Sequence, residues 1–187
     1  MMRRAFSRRR VLQHMVVAPL AALPLGVPAA TARGEEQESW RFYRNGSPPF
    51  TILYPSTLAT RRVGRRLAAG TMLVQEWRLP DAAGEIHLTI TDAPAGGGFS
   101  DWMQSQVGGN ALPVEIAGLR GATVESLADG VYTIAVYLDE PSSGKIIGFT
   151  QSIRNVPPDT TMAAAKTAFR AQSTRFWRMV ESLKLGT

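Results

Sequence analysis

One histidine follows residue 32, His87, and it stands two residues from Glu85 in "EIHLTITD". On an extended strand, residues i and i+2 share a face. Glu85 and His87 can therefore present a carboxylate and an imidazole to a divalent cation, with a third ligand from elsewhere. The plainer reading is two polar groups on a half-exposed sheet face. As the base of a serine hydrolase, His87 lacks its counterpart, because no Gly-x-Ser-x-Gly elbow occurs. The chain has no cysteine, which excludes thiolate nucleophiles, disulfides, iron–sulfur ligation and Cys-based zinc sites. The glycines of "APAGGGF" are not followed by Gly-Lys-Ser/Thr and do not open a long helix, so they read as a loop rather than a phosphate cradle. No motif implies a cofactor.

Arginine supplies the other chemistry. "TRRVGRRLAAG" gathers Arg61, Arg62, Arg65 and Arg66, which can cover one side of a helical turn or line a loop. Forked guanidinium contacts to an acidic protein surface or a lipid phosphate suit such a cluster. A solvated, solubilising face is the alternative. A second cluster precedes residue 11: Arg3, Arg4, Arg8, Arg9 and Arg10 carry most of the net charge of +6. Without residues 1–32 there remain 16 basic and 15 acidic side chains, a net of +1. The basic balance thus belongs to the N-terminus, and a nucleic-acid partner loses its main support.

Residues 1–32 read as a targeting segment. A positive stretch is followed by an Ala-, Val-, Leu- and Pro-rich run, and Ala30-Thr31-Ala32 gives a small-x-small cleavage site between Ala32 and Arg33. Pro19, Pro24, Gly26 and Pro28 disfavour a stable membrane span. "SRRRVLQ" resembles a twin-arginine translocation signal, with Arg8 and Arg9 as its pair. That resemblance implies the Tat translocase as a partner during export, and delivery to the periplasm, or to the thylakoid lumen in a photosynthetic source.

The elements that must position these residues are mostly strands. Residues 33–39 read as a flexible tether. "WRFY", "FTILYP", "TMLVQEW" and "EIHLTITD" read as strands, the last two joined through "RLPDAAG" as a hairpin. "FSDWMQSQV" reads as a short helix with Ser100 as N-cap. "GATVESL", "VYTIAVYLD" and "KIIGFTQSI" form an antiparallel meander, turned by Asp129-Gly130 and Pro141-Ser142-Ser143-Gly144. Both faces of the middle strand are apolar, so it should lie centrally, covered on both sides. After Asp159 or Thr160 as cap, Met162, Ala165, Phe169, Phe176, Val180 and Leu183 give one long amphipathic helix, its stripe interrupted only near Gln172, with Lys166, Arg170, Arg175, Arg178 and Lys184 solvated. Trp102, Trp177, Phe169 and Phe176 read as core aromatics rather than a ligand box. The class is α+β: an antiparallel sheet of about six strands, flanked by helices and covered by the C-terminal one, in a single domain over residues 40–187.

"FYRNGSPPFTILYPSTL", "EIHLTITDAP" with "FSDWMQSQV", and "TRFWRMVESLKL" resemble, in order and spacing, the PsbP-like family, relatives of the extrinsic protein of photosystem II's oxygen-evolving complex. Leu58 stands where that pattern usually has Trp, and residues 108–119 have no clear counterpart. The resemblance implies an α/β/α sandwich and a non-catalytic accessory or interaction role in assembling or stabilising an envelope or lumenal complex, through a protein partner not named by the sequence. A small-ligand or metal-binding module, with a pocket between sheet and helix, is the second reading. An enzyme is the third.

Overall fold

The computed structural model describes residues 38–68, 70–94, 98–107 and 110–186. The expected leader, with Arg8, Arg9 and the Ala32–Arg33 cleavage site, lies outside the described residues, as does the expected tether up to residue 37.

Among the described residues ten strands and three α-helices follow one another: β1 (Trp40–Gly46), β2 (Pro49–Pro55), β3 (Ala59–Arg66), β4 (Thr71–Arg78), β5 (Gly84–Asp92), α1 (Phe99–Val107), β6 (Leu112–Ile116), β7 (Leu119–Ala128), β8 (Val131–Glu140), β9 (Lys145–Ile153), α2 (Met162–Ala168), α3 (Arg170–Glu181) and β10 (Lys184–Leu185). Seven strands form one antiparallel sheet in the order β3-β4-β5-β9-β8-β7-β6. The α+β class and the covering C-terminal helix are as read from sequence. The strand membership differs. β2 pairs with β1 and β10 in a separate three-stranded sheet, while β3 and β6 complete the large sheet at its two edges.

Alternation explains the layers. Tyr132, Ile134, Val136 and Leu138 of β8 are buried on one face, continuous across the sheet with Phe149 and Ile147 of β9 and Leu88 of β5. Phe176, Met179 and Val180 of α3, and Phe50 and Ile52 of β2, join the same apolar cluster. On the opposite face Tyr137 meets Trp102 of α1 edge-on, with ring centroids 5.2 Å apart, and Met103 is buried. β8 is thus covered on both sides, as its two apolar faces require.

Turn chemistry sets the register. Ala128 pairs with Val131, leaving Asp129 and Gly130 as a two-residue turn with φ of 51° and 70°. Both positive values are those of a type I′ hairpin. β6 and β7 are joined the same way by Ala117 and Gly118 (φ 55° and 76°).

Helix ends differ from the reading. Gly98, not Ser100, precedes α1; its N–H donates to Asp101 Oδ2 at 3.3 Å. Thr161, rather than Asp159 or Thr160, caps α2, its hydroxyl accepting from Ala164 N–H at 3.2 Å. The long helix is broken at Phe169 (φ −104°, ψ 18°), whose ring stacks on Tyr132 with centroids 6.0 Å apart. Lys184 leaves the helix altogether and pairs with Thr51 in β10. Among the described residues no helix is long and apolar enough to cross a membrane.

Candidate functional site

Arg61, Arg62, Arg65 and Arg66 lie on neither a helical turn nor a loop. They form half of β3, the edge strand of the large sheet, and all four are exposed. Strand geometry sends neighbours to opposite faces, so the cluster divides. Arg61 lies opposite Glu76 and Arg62 opposite Gln75; a bulge at Gly64 (φ 60°) intervenes; Arg65 then faces Leu73 and Arg66 faces Met72. Their neighbours record the split. Arg61 helps hold the Glu76 carboxyl below its ordinary value, Arg62 opposes the burial that raises the Tyr43 hydroxyl, and Arg66 adds to the Lys145 pairing that lowers Asp92. Among the described residues none of the four forms an ion pair with a carboxylate. β3 therefore presents guanidiniums on both faces and an unpaired backbone edge between them.

His87 sits in a polar row running inward from Arg61. Glu76 pairs across from His87, and Arg78 from Glu85. His87 Nε2 is 3.6 Å from Glu85 Oε1 and 4.0 Å from Glu76 Oε2. Glu76 is therefore the third acidic or imidazole group that sequence spacing left unnamed. Both carboxylates are already neutralised: Arg78 Nε donates to Glu76 at 2.8 Å, and Arg154 donates to Glu85 at 2.6 Å. The Arg78 hydrogen bond holds Glu76 below the usual carboxylate range, against the opposing effect of burial. Among the described residues, no group of three or more such ligands has a metal-holding arrangement.

A cavity of about 290 Å³ opens between the sheet and the broken C-terminal helix. Leu58, Ile86, Ile153 and Phe169 supply apolar wall, and Arg154 and Arg175 also line it. Gln151, 1% exposed, lies within the same lining. Its Nε2 donates to the Gln172 carbonyl at 3.4 Å, while its Oε1 has no partner among the described residues. The sequence's second reading expected a pocket between sheet and helix but named no lining residue, because these come from segments far apart in the chain. Leu58, which stands where the PsbP-like pattern has Trp, is buried in its wall. The expected core aromatics divide: Phe176 is fully buried, whereas Trp102, Phe169 and Trp177 are partly buried.

No family model and no curated protein matches the chain. Solved structures do. A Bacteroides thetaiotaomicron VPI-5482 protein is similar at 12% identity over 79% of this chain and 48% of its own, with a TM-score of 0.44. The cyanobacterial PsbP (CyanoP) of Synechocystis sp. PCC 6803 is similar at 16% identity and a TM-score of 0.55, over 85% of this chain and 99% of its own. The chain has a PsbP-type fold.

Proposed function

We propose that this is an exported, non-catalytic accessory domain that works by binding a protein partner, with Arg61, Arg62, Arg65 and Arg66 as the contact. The observation that carries this reading is the placement, on an open sheet edge, of four exposed arginines without an ion pair among the described residues. Sheet edges need protection from one another, and charge with a bulge provides it. The same positive charge that repels a second copy of β3 favours an extended acidic segment. Such a segment can take the backbone edge while its carboxylates meet the guanidiniums above and below. The PsbP-type fold supports an accessory role in an envelope or thylakoid-lumen complex, and the Arg8-Arg9 leader supports delivery by the Tat translocase.

Replacing all four arginines by Ser tests the contact. Because the side chains are exposed, the variant keeps its folding cooperativity and nearly all of its stability. It loses a partner recovered by crosslinking with the wild type in intact cells. An unchanged crosslinking profile would remove β3 as the contact.

A further inference from the structure

The geometry points to a small-molecule site in the cavity between the sheet and the C-terminal helix, built for a hydroxylated aromatic carboxylic acid. The inference is independent of β3. At about 290 Å³ the cavity lies at the lower end of the range for ligand pockets, about 300–1,000 Å³. Its contents are ordered by depth. The two guanidiniums, Arg154 and Arg175, have side chains 53% exposed and belong to the mouth. Each gives one N–H-bearing nitrogen to a carboxylate: Arg154 to Glu85 and Arg175 to Glu38, the latter at 3.1 Å. Their remaining donors suit a ligand carboxylate. Apolar walls follow, with the Phe169 ring among them, and these suit an aromatic body.

Gln151 sets the far end. Its amide cannot simply be turned over, because the neighbouring Gln172 carbonyl requires the nitrogen to face it. That leaves Oε1 as a buried acceptor without a donor, an arrangement native proteins rarely keep without a partner. An O–H on the apolar end of the ligand satisfies it. A wider groove of about 860 Å³ between α1 and the β6–β7 edge has no comparable group: among the described residues, no buried polar side-chain atom without a partner lines it.

Three probes separate the contributions: 4-hydroxyphenylacetate, phenylacetate without the hydroxyl, and 4-methylphenol without the carboxylate. Binding to the full chain is followed by NMR shifts and by calorimetry. Wild type binds 4-hydroxyphenylacetate at least about tenfold more tightly than either partial probe. Gln151→Met, which replaces the orphaned amide by an apolar side chain of similar size, erases the advantage over phenylacetate and keeps the fold. Arg175→Gln weakens both carboxylates and leaves 4-methylphenol unchanged. Leu58→Trp fills the cavity and abolishes all three. Absence of shifts at Ile86, Ile153 and Phe169 up to about 10 mM probe would overturn the proposal. So would equal binding of hydroxylated and unsubstituted acids to wild type, which would leave the Gln151 acceptor without a role.

Discussion

Glu140 closes β8 as a nearly buried carboxylate, 5% exposed, and its substitution by Gln tests how the central hairpin is held. Its Oε1 accepts from Ser142 N–H at 3.2 Å and from Ser142 Oγ at 2.6 Å. Its Oε2 accepts from Ser143 N–H at 3.0 Å and from the Ser143 hydroxyl. Burial by itself raises the carboxyl's pKa, but these four donors together outweigh it and hold the group below its ordinary value of 4.5. In Glu140→Gln the amide oxygen can keep one serine, whereas the amide nitrogen then faces a backbone N–H. One hydrogen bond to a charged acceptor is lost, and one turn N–H is left facing another donor. A loss of about 2 kcal/mol follows from the usual worth of such bonds. For a domain of this size that is roughly 4–8 °C in Tm. The pH dependence gives a second readout. A folded pKa below the unfolded one means the carboxylate's contribution is full above the ordinary Glu range and is lost as pH falls through the folded value. Urea unfolding of wild type and variant should therefore differ most near neutral pH and converge below the ordinary Glu value. A difference under about 0.5 kcal/mol at pH 7, or one that persists undiminished in acid, would refute the account.

The other expectations follow from packing and backbone. Trp77 is fully buried, with Tyr43 and Tyr54 rings 5.6 and 5.7 Å from its own, so Trp77→Ala should lower the unfolding free energy by about 3–5 kcal/mol in urea titrations. Gly130 sits at φ 70° and a Cβ there would stand 3.3 Å from the Val156 carbonyl oxygen. Gly130→Ala should cost about 1–2 kcal/mol by the same measurement, seen as a lower midpoint at unchanged slope.

What could be read from sequence follows from how regular each element is. β5 and β8 alternate cleanly, and Asp129-Gly130 is a residue pair that accepts two positive φ values. Those parts of the sheet were legible for the same reason that they are stable. β6 was not: Pro113 interrupts "LPVEI", as an edge strand tolerates, and its turn places Ala117 at φ 55°, where alanine is rarely found. β3 was missed because one apolar residue among four arginines leaves no period to detect. Its regularity comes from β4, which supplies the hydrogen bonds, and the sequence of β3 itself carries no trace of that. The helix break was only faintly legible for a related reason. The stripe's interruption near Gln172 was its one trace, while the kink itself lies at Phe169, where the ring stacks on Tyr132 of β8.

The same reasoning separates the two candidate sites. A run of arginines announces charge in one dimension, but its meaning changed once the strand sent Arg61 and Arg65 to one face and Arg62 and Arg66 to the other. One patch on a single surface became two rows flanking a backbone edge, which favours a partner that is itself extended over a compact acidic surface. Gln151 announces nothing in "KIIGFTQSI", where it reads as one polar residue in an alternating strand. By register it shares the face of Ile86 and Ile134, so the alternation that predicts burial there predicts it for an amide as well. An amide at such a position carries a cost that a leucine would not. A carbonyl from α3 satisfies its nitrogen, and the residue lines the cavity. The unpaired oxygen is thus the feature that distinguishes this cavity from a mere packing defect between sheet and helix.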